Sequence, residues 1–332
     1  MPARATEVER IFAACAPGLE PVLAAELTAL GVEARAVPGG AEGNGEDAIA
    51  LACIGSRVAD AVALRLFEGP ERRLKEALAS ARRLHGPQVD LVVRRERGVA
   101  TVSLDAVGEP LYKRGWRARV GKAPLRESLA AGMLLAAGYD GTEPFLDPMC
   151  GSGTLAIEAA EIAARRAPGR SRRFAFEAWP LRDPARTRAV RERLCARERD
   201  PPAPICASDH NAGALRLAQK NAESARLACF IRFARRDAAR ATPPPGPGLL
   251  AANPPHGVRL TGGLFESWRS LGALLERMST WRATVLAPNH SFERFIGRAP
   301  SRSVRVRNGG LSCLILSFDH VPGGAEFDSR GK

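Results

Sequence analysis

EPFLDPMCGSGTLAIEAAEIAA, residues 143–164, decides how the rest of the chain is read. A short apolar run from Pro144 to Leu146 stops at Asp147, and a turn with two glycines follows. From Thr154 to Arg166 the apolar residues then recur at helical spacing. Strand, glycine turn and helix form the opening unit of a parallel sheet with crossover helices. Glycines at 151 and 153 let the backbone approach a ligand closely, and the helix behind them presents free N–H groups. The stretch has neither the G-x-x-x-x-G-K-[ST] of a phosphate loop nor the spaced G-x-G-x-x-G of a dinucleotide site, which disfavours phosphate binding.

The same alternation continues downstream. Pro204 to Ala207 reads as a strand closed by Asp209, with a helix from Ala212 to Arg226. Cys229 to Phe233 is a strand ending near Asp237, and Leu249 to Ala252 is a strand ending at Asn253. A helix is expected over Leu264 to Met278 and a fifth strand over Ala283 to Ala287. Ser303 to Arg307 and Leu311 to Phe318 make a closing hairpin around Asn308-Gly309. The fold class expected is α/β, a Rossmann-like doubly wound parallel sheet preceded by a small α+β domain. Ligands of open α/β sheets bind outside the carboxyl ends of the strands, so Asp147, Asp209, Asp237 and Asn253 should line one crevice.

Upstream, residues 1–107 read as the small domain and 108–322 as the larger one, with the boundary near Val107 to Pro110. Ile11 to Cys15 is a short strand, and Leu19 to Leu30 is a helix stopped by Gly31. The run GGAEGNGED is expected to be a turn-rich loop, and a second helix to cover Ile54 to Phe67. A short helix follows over Leu74 to Leu84, then a hairpin of Val89 to Val93 and Val99 to Leu104.

At 332 residues, 45% hydrophobic and 26% charged, the chain has the composition of about two globular domains rather than of a disordered polymer. Its longest apolar run, Leu129 to Tyr139, is far below the ~18 residues of a membrane span. The N-terminus has no apolar signal region, and a cytoplasmic location is expected. Seven scattered cysteines without C-x-x-C spacing argue against a disulfide framework and against a structural metal site. The net charge of +13 is mostly arginine, 44 of the 49 basic residues, as GC-rich coding also produces. Its distribution says more. Gly108 to Arg126 carries six basic residues against one acid, and Glu161 to Asp200 carries twelve arginines against six acids. Two such stretches suit a nucleic-acid partner, with Lys113, Arg114, Arg117, Arg119, Arg172 and Arg173 as candidate contacts. The alternative is a set of solvated helix faces.

The sharpest chemistry lies in NPPHG, Asn253 to Gly257. Pro254 and Pro255 are expected to make a rigid, extended turn that presents backbone carbonyls to a ligand. Asn253 adds a side-chain carbonyl. Such a corner accepts both hydrogens of a planar exocyclic amine, pulling the nitrogen lone pair out of conjugation and aiming it at an electrophile. His256 offers a flat ring on which a base can stack.

DPMCGSGT followed by an NPP-aromatic motif resembles the class I S-adenosylmethionine-dependent amino-methyltransferases. FAACAPGLEPVLAAELTALG, SLDAVGEPLYKRGWR, GKAPLRESLAAGML, SDHNAGALRLAQKNAE and NGGLSCLILSF are similar to the bacterial rRNA guanine-N2 methyltransferases that carry an RNA-binding THUMP domain. The resemblance implies S-adenosylmethionine as cofactor and an RNA partner, ribosomal RNA first, with guanine N2 of 23S RNA as the target. It implies that Asp147, Pro148, Met149, Cys150, Gly151, Gly153 and Thr154 cradle the methionine end. Asp209 would hold the ribose with His210 beside the adenosine, and Asp237 and Ala238 would meet the adenine. Lys122, Pro124 and Leu125 would lie over the cofactor, and Asn253, Pro254, Pro255 and His256 would hold the base. The family usually has Tyr at His256, and about fifty more residues between the first small domain and the hairpin, so the THUMP-like unit is abridged. N6-adenine methylation of DNA or RNA, methylation of a protein glutamine amide, and an RNA-binding assembly factor with a drifted site are the alternatives.

Overall fold

The computed structural model describes residues 8–87, 89–117, 125–255, 263–297 and 299–319. Strands β1 (Glu9–Ala14), β2 (Glu33–Val37), β3 (Gly40–Gly45), β4 (Ala61–Pro70), β5 (Leu91–Glu96) and β6 (Val99–Asp105) form a six-stranded sheet in the order β2-β3-β1-β4-β6-β5. Each neighbouring pair in this order is antiparallel. Helices α1 (Glu20–Leu30), α2 (Ala48–Gly55) and α3 (Leu74–His85) pack on it. Helix α4 (Glu127–Ala136) follows.

The second sheet contains β7 (Phe145–Asp147), β8 (Ile205–Asp209), β9 (Ile231–Arg235), β10 (Leu249–Ala252), β11 (Arg282–Ala287), β12 (Arg302–Asn308) and β13 (Leu311–Phe318), in the order β12-β13-β11-β10-β7-β8-β9. β11, β10, β7, β8 and β9 are mutually parallel, and β13 runs antiparallel to β11. Helices α5 (Thr154–Ala163), α6 (Pro184–Cys195), α7 (Ala212–Ser224) and α8 (Gly263–Glu276) complete the chain. This is the Rossmann-like α/β class, with a small α+β domain before it.

By internal contacts the chain forms two compact units. One gathers the residues up to Ala136 with Glu161–Asp200 and Val306–Gly310, and the other holds Ala137–Ala160, Pro201–Arg305 and the residues from Leu311 on. The second has its own core, in which Trp268, Leu271, Leu274, Leu250, Val285 and Leu316 are buried together. No helix among the described residues is long and apolar enough to cross a membrane, and no cluster of metal-ligating side chains is found among them.

Two local expectations are corrected. Most of GGAEGNGED is not a loop: Gly40–Gly45 form β3, between β1 and β2, and Gly39 lies in the turn before it. A Cβ on Gly40 would stand 2.0 Å from the Ala13 carbonyl oxygen, and one on Gly43 would stand 2.7 Å from Val32. These glycines serve close strand packing rather than turning. The second helix ends where it was expected to begin. α2 covers Ala48–Gly55, and Ala61–Pro70 is a strand. Every residue of α2 is buried, so it shows no amphipathic period. Val58, Val62 and Leu66 match a helical stripe, while Val62 and Leu64 equally match strand alternation. The expected α1 stands, closed by Gly31 at φ +99°.

Candidate cofactor and base-amine site

Parallel pairing brings the carboxyl ends of β10, β7, β8 and β9 to one sheet edge. Asp147 and Asp209 are the last residues of β7 and β8, Asn253 follows β10 directly, and Asp237 comes two residues after β9. Four polar residues at or just beyond the strand ends therefore stand in a row along this edge.

The glycine turn is tied to its neighbours. The Cys150 N–H donates to the Ser208 carbonyl at 2.9 Å, and the Gly153 N–H closes the turn on the Cys150 carbonyl at 2.7 Å. The Gly151 N–H donates to Asp209 Oδ2 at 2.9 Å, and the Asn211 N–H donates to Oδ1 at 2.8 Å. Each carboxylate oxygen has more than one acceptor site, so this buried group keeps capacity for a ligand hydroxyl. Gly151 and Gly153 sit at φ +52° and +84°, conformations that favour glycine. Their duties differ. A Cβ on Gly151 would meet no atom within 4 Å, which leaves that side of the turn open to a ligand. A Cβ on Gly153 would lie 3.0 Å from the Ala218 side chain on α7.

Asp147 is 1% exposed, and its Oδ1 accepts the Met149 N–H at 3.2 Å. Burial pushes its pKa well above the usual carboxylate range, and the nearby Asp209 charge adds to this. A cation brought against it would favour the ionised form. The Cys150 thiol is also pushed up by burial, which argues against a thiolate nucleophile. Pro148 and Thr154 are buried, while Met149 packs half-buried on the core.

Asn253 Oδ1 is buried and has no hydrogen-bond partner among the described residues. An unsatisfied buried acceptor costs roughly 1–3 kcal/mol, and a donor in the site removes that cost. Pro254 is buried and Pro255 exposed. His256, Lys122, Pro124 and Arg119 lie outside the described residues. Asp237 is exposed, and its Oδ1 accepts the Ala239 N–H at 2.8 Å, capping the single turn Ala238–Arg240. Ala238 is buried beneath that cap. The exposed His210 has Nδ1 3.7 Å from Asp209 Oδ1. Leu125 is buried in the first unit.

Two neighbours escaped the sequence reading. Asn221, fully buried on α7, donates Nδ2 to the Ser152 carbonyl at 2.9 Å and so holds the turn from behind. Its signal was a polar residue three positions after Ala218, on the apolar face of an amphipathic helix. Ser208 Oγ is buried beside Asp209, without a hydrogen-bond partner among the described residues.

In the first unit, most of the candidate cations have intramolecular partners. Lys113 pairs with Glu109 at 3.0 Å. Arg114 donates to the carbonyls of Leu111 and Arg57. Arg117 pairs with Glu127 at 2.9 Å, with both side chains nearly buried, and also donates to the Leu125 carbonyl. Arg172 donates to the carbonyls of Glu109, Pro110 and Leu111. Arg173 is exposed and has no hydrogen bond or ion pair among the described residues.

Comparison with known proteins gives concordant matches. The RMKL-like methyltransferase domain matches residues 114–317, and the RlmL ferredoxin-like domain matches residues 10–63. A putative RNA methyltransferase of Synechocystis is 33% identical over 241 residues, covering 71% of this chain and 63% of that protein. The ribosomal RNA large subunit methyltransferase K/L of Syntrophotalea carbinolica is 38% identical over 282 residues, covering 79% and 38%. The chain thus spans between about a third and two thirds of the length of these relatives. Among solved structures, a predicted N6-adenine-specific DNA methylase from Listeria monocytogenes is 26% identical with a TM-score of 0.83, covering 94% of this chain and 96% of that one. A putative methyltransferase complexed with SAH is 24% identical with a TM-score of 0.86, covering 96% and 100%, and shares the fold.

Proposed function

The chain belongs to the RMKL-like methyltransferase family, and from that premise we propose that it is an S-adenosylmethionine-dependent N-methyltransferase of an exocyclic base amine in RNA. Guanine N2 of large-subunit (23S) ribosomal RNA is the proposed target. The observation that carries this reading is the buried Asn253 Oδ1 at the carboxyl edge, without a hydrogen-bond partner among the described residues and one strand away from the glycine turn.

S-adenosylmethionine, when bound, supplies an electrophilic methyl group. The residues present fit it: Gly151 leaves space at the turn, Asp209 keeps acceptor capacity for ribose hydroxyls, and Asp147 offers a buried carboxyl to the methionine ammonium. Asn253 Oδ1 and the Pro254 carbonyl are proposed to accept the two amine hydrogens, which orients the nitrogen lone pair toward the edge where Asp147 and Asp209 stand. The base must leave its stack to reach them. We assign methyl transfer to residues 108–322 and RNA holding to residues 1–107, read as a ferredoxin-like unit with an abridged THUMP, and place the enzyme in the cytoplasm.

The Listeria neighbour, described as a predicted N6-adenine-specific DNA methylase, favours a second reading, N6-adenine methylation. Transfer of tritiated methyl from the cofactor to rRNA and to genomic DNA, followed by nucleoside analysis, tests both. N2-methylguanosine in RNA is the expected product. N6-methyladenine in DNA would replace the first reading, and no transfer to either would end both.

A further inference from the structure

Phe265 stands in the first turn of α8 with 41% of its surface exposed. A lone exposed apolar side chain is ordinary, but this one is the outermost of four linked aromatics. Its ring lies 5.4 Å from that of Phe295, Phe295 lies 6.0 Å from Phe292, and Phe292 lies 4.7 Å from the fully buried Trp268. The ring is therefore braced from the core outward, and little side-chain freedom is left to lose when something stacks on it.

Its position follows from the topology. β10 and β11 are parallel neighbours, in register from Leu249↔Arg282 to Ala252↔Val285. The chain leaving the carboxyl end of β10 passes through Asn253 to α8, and the chain leaving the carboxyl end of β11 passes to the turn His290–Phe295. α8 packs on that turn. Phe265 and Phe295 thus belong to the segments that leave the same edge as Asn253, on its β11 side. Two exposed guanidiniums accompany them. Arg294 lies 4.9 Å from the Phe295 ring centre, and Arg269 follows Phe265 by one helical turn. Neither has an ion pair among the described residues. Of the nearby acids, Glu266 is exposed and Glu293 is paired with His290.

We infer that Phe265, braced by Phe295 and flanked by Arg269 and Arg294, is a stacking shelf for a base neighbouring the target nucleotide in a single-stranded segment of RNA. The inference rests on the proposed base-amine site. A flat ring with cations beside it suits a base and its phosphate, and stacking of this kind tolerates any base. A base paired within a duplex presents no free face, so the shelf selects unpaired segments.

The test uses the full chain and a mixed-sequence oligoribonucleotide of about 12 nucleotides, single-stranded or annealed to its complement. Phe265→Ala and Phe265→Leu should weaken the single strand on the order of tenfold. Phe265→Tyr should bind like wild type, because it keeps the ring. Phe265→Leu keeps apolar packing on Phe295, and unchanged S-adenosylhomocysteine affinity in each variant reports an intact second unit. Phe265→Trp should add a fluorescence signal that the single strand quenches and the duplex does not. If wild type methylates rRNA while Phe265→Ala and Phe265→Leu bind the single strand as tightly as it does, the shelf is refuted and the base-amine site stands. If wild type neither methylates RNA nor binds the single strand, both fall.

Discussion

The Gly151 N–H donates to Asp209 Oδ2 at 2.9 Å, so the turn after β7 and the carboxylate that ends β8 are one structural unit. A change at Asp209 therefore alters both the ligand acceptor and the shape of the turn. Asp209→Ala is expected to raise the dissociation constant of S-adenosylhomocysteine about 10- to 100-fold, the range for losing a hydrogen bond to a charged group. Asp209→Asn keeps one acceptor and should fall between the two. Calorimetric titration of the three proteins checks the order, and equal affinities would remove Asp209 from the site.

Asp147 gives a pH signature. Its folded-state pKa is raised, chiefly by burial, above the roughly 3.9 of an exposed aspartate. The fold therefore favours its protonated form. That contribution to stability is complete below the ordinary carboxylate range and is lost as pH rises through the raised value. Asp147→Asn should remove this slope and leave the free protein as stable as wild type or more so at neutral pH, while cofactor affinity drops. Urea denaturation at a series of pH values from about 4 to 8 is the measurement. Parallel pH profiles for the two proteins would contradict the assignment.

Charge in the basic stretches does two different things. Arg117 and Glu127 form a nearly buried pair at 2.9 Å, and breaking such a pair costs roughly 3–5 kcal/mol. Arg117→Glu should therefore lower the melting temperature sharply. Arg173→Glu, at an exposed position, should leave the melting temperature unchanged and flatten the salt dependence of RNA binding. An Arg173→Glu protein with the wild-type salt slope would exclude this residue from the RNA contact.

The strand–turn–helix order of the second unit was legible because each strand is a short apolar run closed by a polar residue, as at Asp147, Asp209 and Asn253. Legibility failed where one residue type served two purposes. Gly40 and Gly43 look like turn glycines, yet they are glycine because neighbouring strands press against them. α2 hides its period because it is buried on every side. The basic stretches showed where arginine is dense, but the carbonyls and acids that occupy Arg114, Arg117 and Arg172 come from residues up to 63 positions away. Asn221 was invisible for the same reason: its partner, the Ser152 carbonyl, is 69 residues distant.

In the proposed reaction Asn253 Oδ1 accepts a hydrogen of the base amine as the nitrogen attacks. Asn253→Ala removes that acceptor and with it a buried oxygen that has no hydrogen-bond partner among the described residues, so the free protein should be no less stable. The single-turnover methyl-transfer rate on rRNA at saturating cofactor reads out this contact. Because the contact strengthens as the nitrogen becomes tetrahedral, the rate should fall about 100-fold or more, with S-adenosylhomocysteine affinity nearly unchanged. A wild-type rate from Asn253→Ala would show that the amine is held elsewhere and that Asn253 has no part in methyl transfer.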